Sequence, residues 1–431
     1  MNSKFKLTKL EKSWILYDVG NSAFILLVST LLPIYFNTLV EGTNVNGMAY
    51  WGYASSISAL LVAIIAPICG TLADQSGFRK PLFLICLGLG ALGCAALGGA
   101  WSWLSFLVVF VIAKVGYSSS IVFYDSMLPE VTGKDRMDKV STMGYAYGYI
   151  GSVIPFILCL IPYIGSMLGF LPISEKNALI IGFFITAVWW IACSLPLSVK
   201  YRQRVYHPAT GNPIAATFRQ LADTVRDAKK HKHIFLYLLA FFFFIDGVYT
   251  IIDMATSYGK ELGLDSIGLL LALLVTQFVA FPCSIIFGRL SAKYDTGLLL
   301  KVCIASYTFI TLFAVFLVTQ WQFWMLAVMV GMFQGGIQTL SRSYLGKIIP
   351  PDRSGEYFGL MDICGKGASI LGTAMVGAVA QMTDGLSFSL FGLTIMNEGI
   401  AVGTLVILFA VGFLLFCKAD KLTKARIKEE V

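Results

Sequence analysis

An all-α membrane protein of twelve transmembrane helices, set out as two similar halves of six, is the fold class this sequence predicts, and three observations predict it. Of its 431 residues, 57% are hydrophobic and only 13% charged, whereas soluble domains carry about a quarter charged residues. The apolar residues come in continuous runs, enough for about twelve spans of about 20 residues each, without the two-residue alternation of a membrane barrel. A polar stretch from Ser198 to Lys232 divides those runs six and six. A soluble enzyme, a disordered chain and a disulfide scaffold are thereby excluded.

The first half, residues 1–197, opens on the basic stretch Lys4 to Lys12 and continues with spans near 14–40, 48–72, 81–100, 102–128, 140–163 and 177–197. Its first apolar run is too long for a signal peptide and no small-residue cleavage site follows, so it reads as a retained span. The linker, 198–232, contains Asn212 and Pro213, a helix start with Asn as N-cap and Pro at the first position. Ile214, Phe218, Leu221 and Val225 then recur at helical spacing, with Arg219, Asp223, Arg226 and Lys229 on other faces. An amphipathic helix on the inner membrane surface is expected. The second half, 233–431, repeats six spans near 233–259, 266–288, 298–319, 321–345, 357–381 and 395–417.

Charge fixes the expected orientation. With the N-terminus in the cytoplasm, 28 of the 32 Lys and Arg residues fall on the cytoplasmic side, two (Lys176 and Lys260) fall on the other, and Lys114 and Lys366 lie within spans. By the positive-inside rule both termini are cytoplasmic, in a multi-pass protein of the bacterial inner membrane. The net charge of +8 then belongs to surfaces that face anionic lipid, and no nucleic-acid partner is implied. The nine cysteines are odd in number and sit in or at the ends of apolar runs, which suits packing rather than disulfides or metal. His207, His231 and His233 all fall in or beside the linker, so a histidine relay within the membrane is excluded. No metal, cofactor or catalytic group is expected.

The halves resemble one another. Tyr17-Asp18-Val19-Gly20-Asn21 in span one answers to Ile245-Asp246-Gly247-Val248-Tyr249 in span seven. Gly148 and Ser152 in span five answer to Gly365 and Ser369 in span eleven, small residues four apart that let helices approach in lipid. Internal repeats of this kind are a mark of transporters. Between spans two and three runs a more specific loop, Gly70-Thr71-Leu72-Ala73-Asp74-Gln75-Ser76-Gly77-Phe78-Arg79-Lys80. Gly70 allows close helix approach, Asp74 can face a helix N-terminus, Gly77 makes the turn, and Arg79 and Lys80 stay in the cytoplasm. The matching loop of the second half, Gly288 to Gly297, is degenerate, with Asp295 late.

That loop resembles the signature G-x-L-a-D-x-x-G-x-(R/K)-(R/K) of the major facilitator superfamily. Trp14, Tyr17, Asp18, Asn21 and Ser22 in span one, with Gly335, Gly336, Gln338, Ser341, Arg342 and Ser343 in span ten, followed by Pro350, Phe358 and Gly359, look like the family of the autophagy-related vacuolar amino-acid effluxer and its bacterial relatives. The resemblance implies the twelve-helix rocker fold, with spans 1, 4, 7 and 10 around a central cavity. It also implies efflux of a small solute, with amino acids the best-known substrates. An acidic residue at the end of span four pairs with the loop arginine in that superfamily, which assigns Asp125 and Glu130 to a gate with Arg79.

Ionisable residues inside lipid spans are costly and mark function or a pair. Asp246 and Lys114 lie near the middle of spans seven and four. Asp246 is read as a proton-coupling carboxyl or a ligand for a cationic group, against a structural hydrogen bond to a neighbouring helix. Lys114 either holds a substrate carboxylate or neutralises a carboxylate such as Asp246. Asp18 and Asn21 share a helix face, as solute contacts or a gate bond. Asp362 and Lys366 look like an intrahelical pair. Gln334, Gln338 and Arg342 recur at spacing four, the glutamines as solute-recognising amides and Arg342 as a snorkelling side chain or a gate. Tyr145, Tyr147 and Tyr149 are expected on different faces.

No Asp-rich or His-Glu signature and no Ser/His pair lies within the spans, which argues against an enzyme. Scattered rather than ringed charges argue against a channel. The expectation is a monomeric secondary transporter that moves a small polar solute, an amino acid or related metabolite, by proton-coupled efflux and alternating access. The alternative is a facilitator or exporter of sugars, drugs or lipid-like molecules on the same fold.

Overall fold

The computed structural model describes residues 6–43, 45, 47–207, 213–226, 231–383, 387–390 and 393–429. They form two compact units: unit one takes Met1–Arg136, Met143–Leu221 and Pro350–Gly359, and unit two takes Met137–Thr142, Ala222–Ile349 and Leu360–Val431.

The helices of the first half are α1 (Lys9–Ser29), α2 (Leu31–Val40), α3 (Gly47–Ala73), α4 (Arg79–Ala96), α5 (Trp103–Ser126), α6 (Leu128–Val131), α7 (Met137–Met167) and α8 (Glu175–Lys200). Starts are set by side chains that take up orphan amides. Thr8 with Glu11 and Ser102 with Ser105 form reciprocal caps before α1 and α5. Two breaks were not expected. Pro33 has no amide to give the Ser29 carbonyl, and the chain leaves the helix at Thr30, where α1 ends and α2 begins. Pro129 does the same to the Asp125 carbonyl, and α5 gives way to the single turn α6.

The linker carries α9 (Pro213–Arg226), and the second half consists of α10 (Lys232–Glu261), α11 (Ser266–Leu290), α12 (Thr296–Val315), α13 (Gln320–Ile348), α14 (Ser354–Met382), α15 (Asn397–Gly403) and α16 (Leu405–Glu429). Asp265 and Asp295 cap α11 and α12, and Thr319 with Gln322 caps α13. Among the described residues, eleven helical segments are long and apolar enough to cross a bilayer, and α14 adds the shorter apolar stretch Leu371–Met382. A hairpin was not expected either: β1 (Ser387–Leu390) pairs antiparallel with β2 (Leu393–Met396), Ser387 opposite Met396. Ser387-Phe388-Ser389-Leu390 alternates polar and apolar residues on a period of two, whereas Leu393-Thr394-Ile395-Met396 ends on two apolar residues.

Packing repeats between the units. Counting transmembrane spans in order, α1 packs on α8, α3 on α5, α4 on α5 and α4 on α8, which is spans 1 with 6, 2 with 4, 3 with 4 and 3 with 6. In unit two α10 packs on α16, α11 on α13, α12 on α13 and α12 on α16, which is 7 with 12, 8 with 10, 9 with 10 and 9 with 12. Aromatic rings fill both cores. Trp14 stacks on Tyr124 at 4.3 Å and gives its indole N–H to the Tyr124 carbonyl at 3.0 Å, while Tyr307 stacks on Phe409 at 5.7 Å. Each such pair adds about 0.5–1.5 kcal/mol beyond burial. Outward faces are apolar too, as Leu92, Val188 and Leu414 show at 65%, 64% and 69% exposure.

The linker helix α9 has one polar side turned inward. Its polar side chains Thr217 and Gln220 are buried while Phe218 is exposed. The side chains of Ile214, Leu221 and Val225, and that of Lys366 in α14, lie outside the described residues. His233, expected to be solvated, is buried at the start of α10.

Candidate functional site

In unit one the loop between α3 and α4 is a closed knot of bonds. Gly77 turns the chain at φ +83°, a left-handed conformation that costs a residue with a Cβ about 1–2 kcal/mol. Asp74, completely buried, accepts from Arg79 Nη2 at 2.6 Å and from the backbone amides of Gly355 and Glu356 at 2.7 and 2.8 Å. Those amides belong to the first turn of α14 and have no partner within their own helix, and the helix dipole adds to their pull on an anion. Burial pushes the Asp74 carboxyl up, to about 7, while Arg79 and the two amides work in the opposite direction. Gly70 is required beside this contact, since a Cβ there would strike the Gly355 carbonyl.

Arg79, expected on the cytoplasmic side as the gate partner of Asp125 and Glu130, is fully buried. Its guanidinium pairs with Asp74 and Glu130 and also donates to the Ser126 carbonyl at 3.2 Å. Glu130 is thus the carboxylate that meets the loop arginine, and Asp125 is half-buried one helical stretch earlier. Two linker residues join the same knot without any signal in the sequence, Tyr201 and Gln203.

The remaining candidates of unit one lie along α1 and α5. Asp18 and Asn21 are buried, and the Asn21 amide lies 3.4 Å from Asp18 Oδ1. Gly148 of α7 brings α1 close, because a Cβ there would fall 2.7 Å from Ser22 Oγ. Lys114 is half-buried with its ammonium 5.5 Å from the centre of the Phe110 ring. Tyr145 and Tyr149, expected apart, share a face one turn apart with ring centres 6.1 Å from each other.

Asp246, in unit two, is fully buried within α10. Its Oδ1 accepts from the Gly372 amide of α14 at 3.0 Å and from the Thr250 hydroxyl at 3.3 Å. Its Oδ2 has no hydrogen-bond partner among the described residues. Gly372 makes the approach possible, since a Cβ would sit 2.6 Å from that carboxyl. A buried carboxyl oxygen without a donor is costly as part of an anion, and a proton or a cationic group relieves that cost.

On α13, Gln334 is buried and borders a cavity of about 60 Å³ with Ile251, Ala272, Thr276 and Val330, and Gln338 is half-buried one turn further. Arg342 does not snorkel. It is buried, and it donates to the carbonyl and the hydroxyl of Ser141, both at 3.0 Å. Nearby, Asp138 accepts from Lys347 at 2.5 Å and from Thr296 at 2.8 Å. Asp138 carries no signal of its own in the sequence, because an acidic residue opening a helix is unremarkable.

Known proteins resemble this chain over its length. The family described as "Vacuole effluxer Atg22 like" matches residues 40–411. An uncharacterized MFS-type transporter of Bacillus subtilis, YxiO, is 37% identical over 99% of this chain and 98% of its own. Autophagy-related protein 22 of Coccidioides immitis is 23% identical over 79% of this chain and 69% of its own. Among solved structures, a bacterial homologue of the iron transporter ferroportin in an outward-facing state superposes with a TM-score of 0.71 at 13% identity, covering 96% of this chain and 98% of that one. The major facilitator FucP in its outward conformation gives 0.70 at 16% identity, covering 95% and 97%.

Proposed function

We propose a specific role for this chain, which belongs to the Atg22-like vacuole effluxer family of the major facilitator superfamily and is therefore a multi-pass membrane transporter of small solutes, not an enzyme: it exports a small polar solute, an amino acid or close relative, at the expense of a proton gradient. Asp246 is the proposed proton carrier. The observation that carries the reading is its environment, a fully buried carboxyl with one oxygen held by Gly372 and Thr250 and the other without a partner among the described residues.

Such a carboxyl accepts a proton without losing a bond. A solute amine approaching Oδ2 would favour the anion, so loaded and empty states differ in protonation, which is what coupling requires. Within unit one the proposed solute contacts are Asp18, Asn21 and Lys114; within unit two they are Gln334 and Gln338. The family description, an effluxer, supports the outward direction, and the Lys and Arg distribution supports cytoplasmic termini.

The test is uptake of a labelled amino-acid panel into proteoliposomes with and without an imposed proton gradient. Asp246→Asn imitates the protonated carboxyl. It should abolish gradient-driven accumulation and leave substrate exchange, which moves no net proton. Accumulation that persists and still follows pH in the Asn variant would place coupling elsewhere.

A further inference from the structure

Between Tyr201 and His207 the chain has neither helix nor strand, yet it is bonded to the Asp74 loop along its length. Gln203 uses every polar valence of its amide. Its Nε2 donates to the carbonyls of Ala73 and Gln75 at 2.9 and 3.1 Å, and its Oε1 accepts from the amides of Gly77 and Arg79 at 3.2 and 3.3 Å. The Ala73 carbonyl ends α3 and the Arg79 amide starts α4, groups that a helix leaves unsatisfied, and Gln75 and Gly77 belong to the turn between them. One side chain caps two helices.

A cap alone would need nothing more, but the segment continues to the other side of the knot. The Tyr201 hydroxyl donates to Glu130 Oε1 at 3.0 Å, and Glu130 Oε2 accepts from the amides of Arg204 and Val205 at 2.7 and 3.3 Å. The His207 amide donates to the Asp74 carbonyl at 2.8 Å, and His207 Nδ1 lies 3.2 Å from Asp352 Oδ2, just before α14. Further along, Gln75 Nε2 donates to Thr217 Oγ1 at 3.0 Å and Gln220 Nε2 to Glu356 Oε2 at 2.9 Å.

We propose that Tyr201–His207 is a strap, anchored by Gln203, that holds the Asp74 loop against the first turn of α14 and sets how often that junction opens. Gln203 is then a positioning residue: it touches no solute and acts through the backbone on which Asp74 and Arg79 are mounted. The inference is independent of which solute is carried and of how protons couple.

Hydrogen exchange by mass spectrometry on the full chain in lipid nanodiscs, with no substrate added, tests it. In Gln203→Leu the amides of Gly77 and Arg79 lose their acceptor, and the amides of Gly355 and Glu356 should exchange about tenfold faster as the junction opens more often. Peptides from α12 and α16 should exchange as in wild type. The milder Tyr201→Phe, which keeps the fold and the Gln203 cap, should speed Gly355 and Glu356 about two- to threefold while leaving Gly77 and Arg79 unchanged. If Gly355 and Glu356 exchange at the wild-type rate in both variants, Gln203 only caps its own loop and the strap is wrong. Acceleration throughout α12 and α16 as well would mean general destabilisation and would equally overturn it.

Discussion

Asp74 shows what one residue contributes at the junction. Two amides and a guanidinium converge on a carboxyl with no exposure, and removing one member of such a buried set costs about 3–5 kcal/mol. With the loop acting as we propose, in conformational switching and not in recognition, Asp74→Asn should slow transport at least about tenfold for every substrate to the same degree. Turnover compared across a substrate panel checks this, and a changed preference at unchanged turnover would refute it. The motif spacing made Asp74, Gly77 and Arg79 legible from the sequence. It did not reveal Gln203, which lies 126 positions from Gly77 in a segment without periodicity. Nor did it show that Arg79 is buried, because a basic residue in a short loop looks the same whether solvated or paired.

Helix starts are pinned from a distance as well as locally. Glu11 caps α1 through Thr8, and its carboxylate also accepts from Thr132 at 2.8 Å and from Arg136 Nε and Nη2 at 3.0 and 2.8 Å. Glu11→Gln should lower stability by about 1–2 kcal/mol, since Arg136 is partly solvated, read from the unfolding midpoint in detergent. The double variant with Arg136→Gln should cost clearly less than the two single losses added, because both remove the same bonds. At this scale hydropathy located the spans to within a few residues, since length and apolarity are what a bilayer selects. The breaks at Thr30 and Met127 are legible in Pro33 and Pro129, while strands 387–390 and 393–396 fall before span twelve and at its edge, where hydropathy gives no helix. Four-residue strands are too short to announce themselves against a neighbouring helix.

Across the whole molecule the repeat is clearer in packing than in sequence. Faint matches such as Asp18 with Asp246 correspond to one pattern of helix pairing carried out twice, because packing constrains which faces meet and tolerates many residues that achieve it. The proposed orientation rests on charge alone and is open to direct measurement. In right-side-out vesicles an impermeant maleimide should label a cysteine placed at Lys176 and not one at Lys134, and inverted vesicles should reverse the result. Equal labelling of Lys134→Cys from both sides would contradict the assignment.

To trypsin, the stretch Arg79-Lys80-Pro81 offers a single bond in this loop. Lys80 is shielded by the proline that follows it, which leaves the bond after Arg79, and that guanidinium is locked away with Asp74, Glu130 and the Ser126 carbonyl. Trypsin can take it only while the knot is undone. The residue that fastens the loop is also its tamper seal, and a cut at Arg79 is a record that the loop has been open.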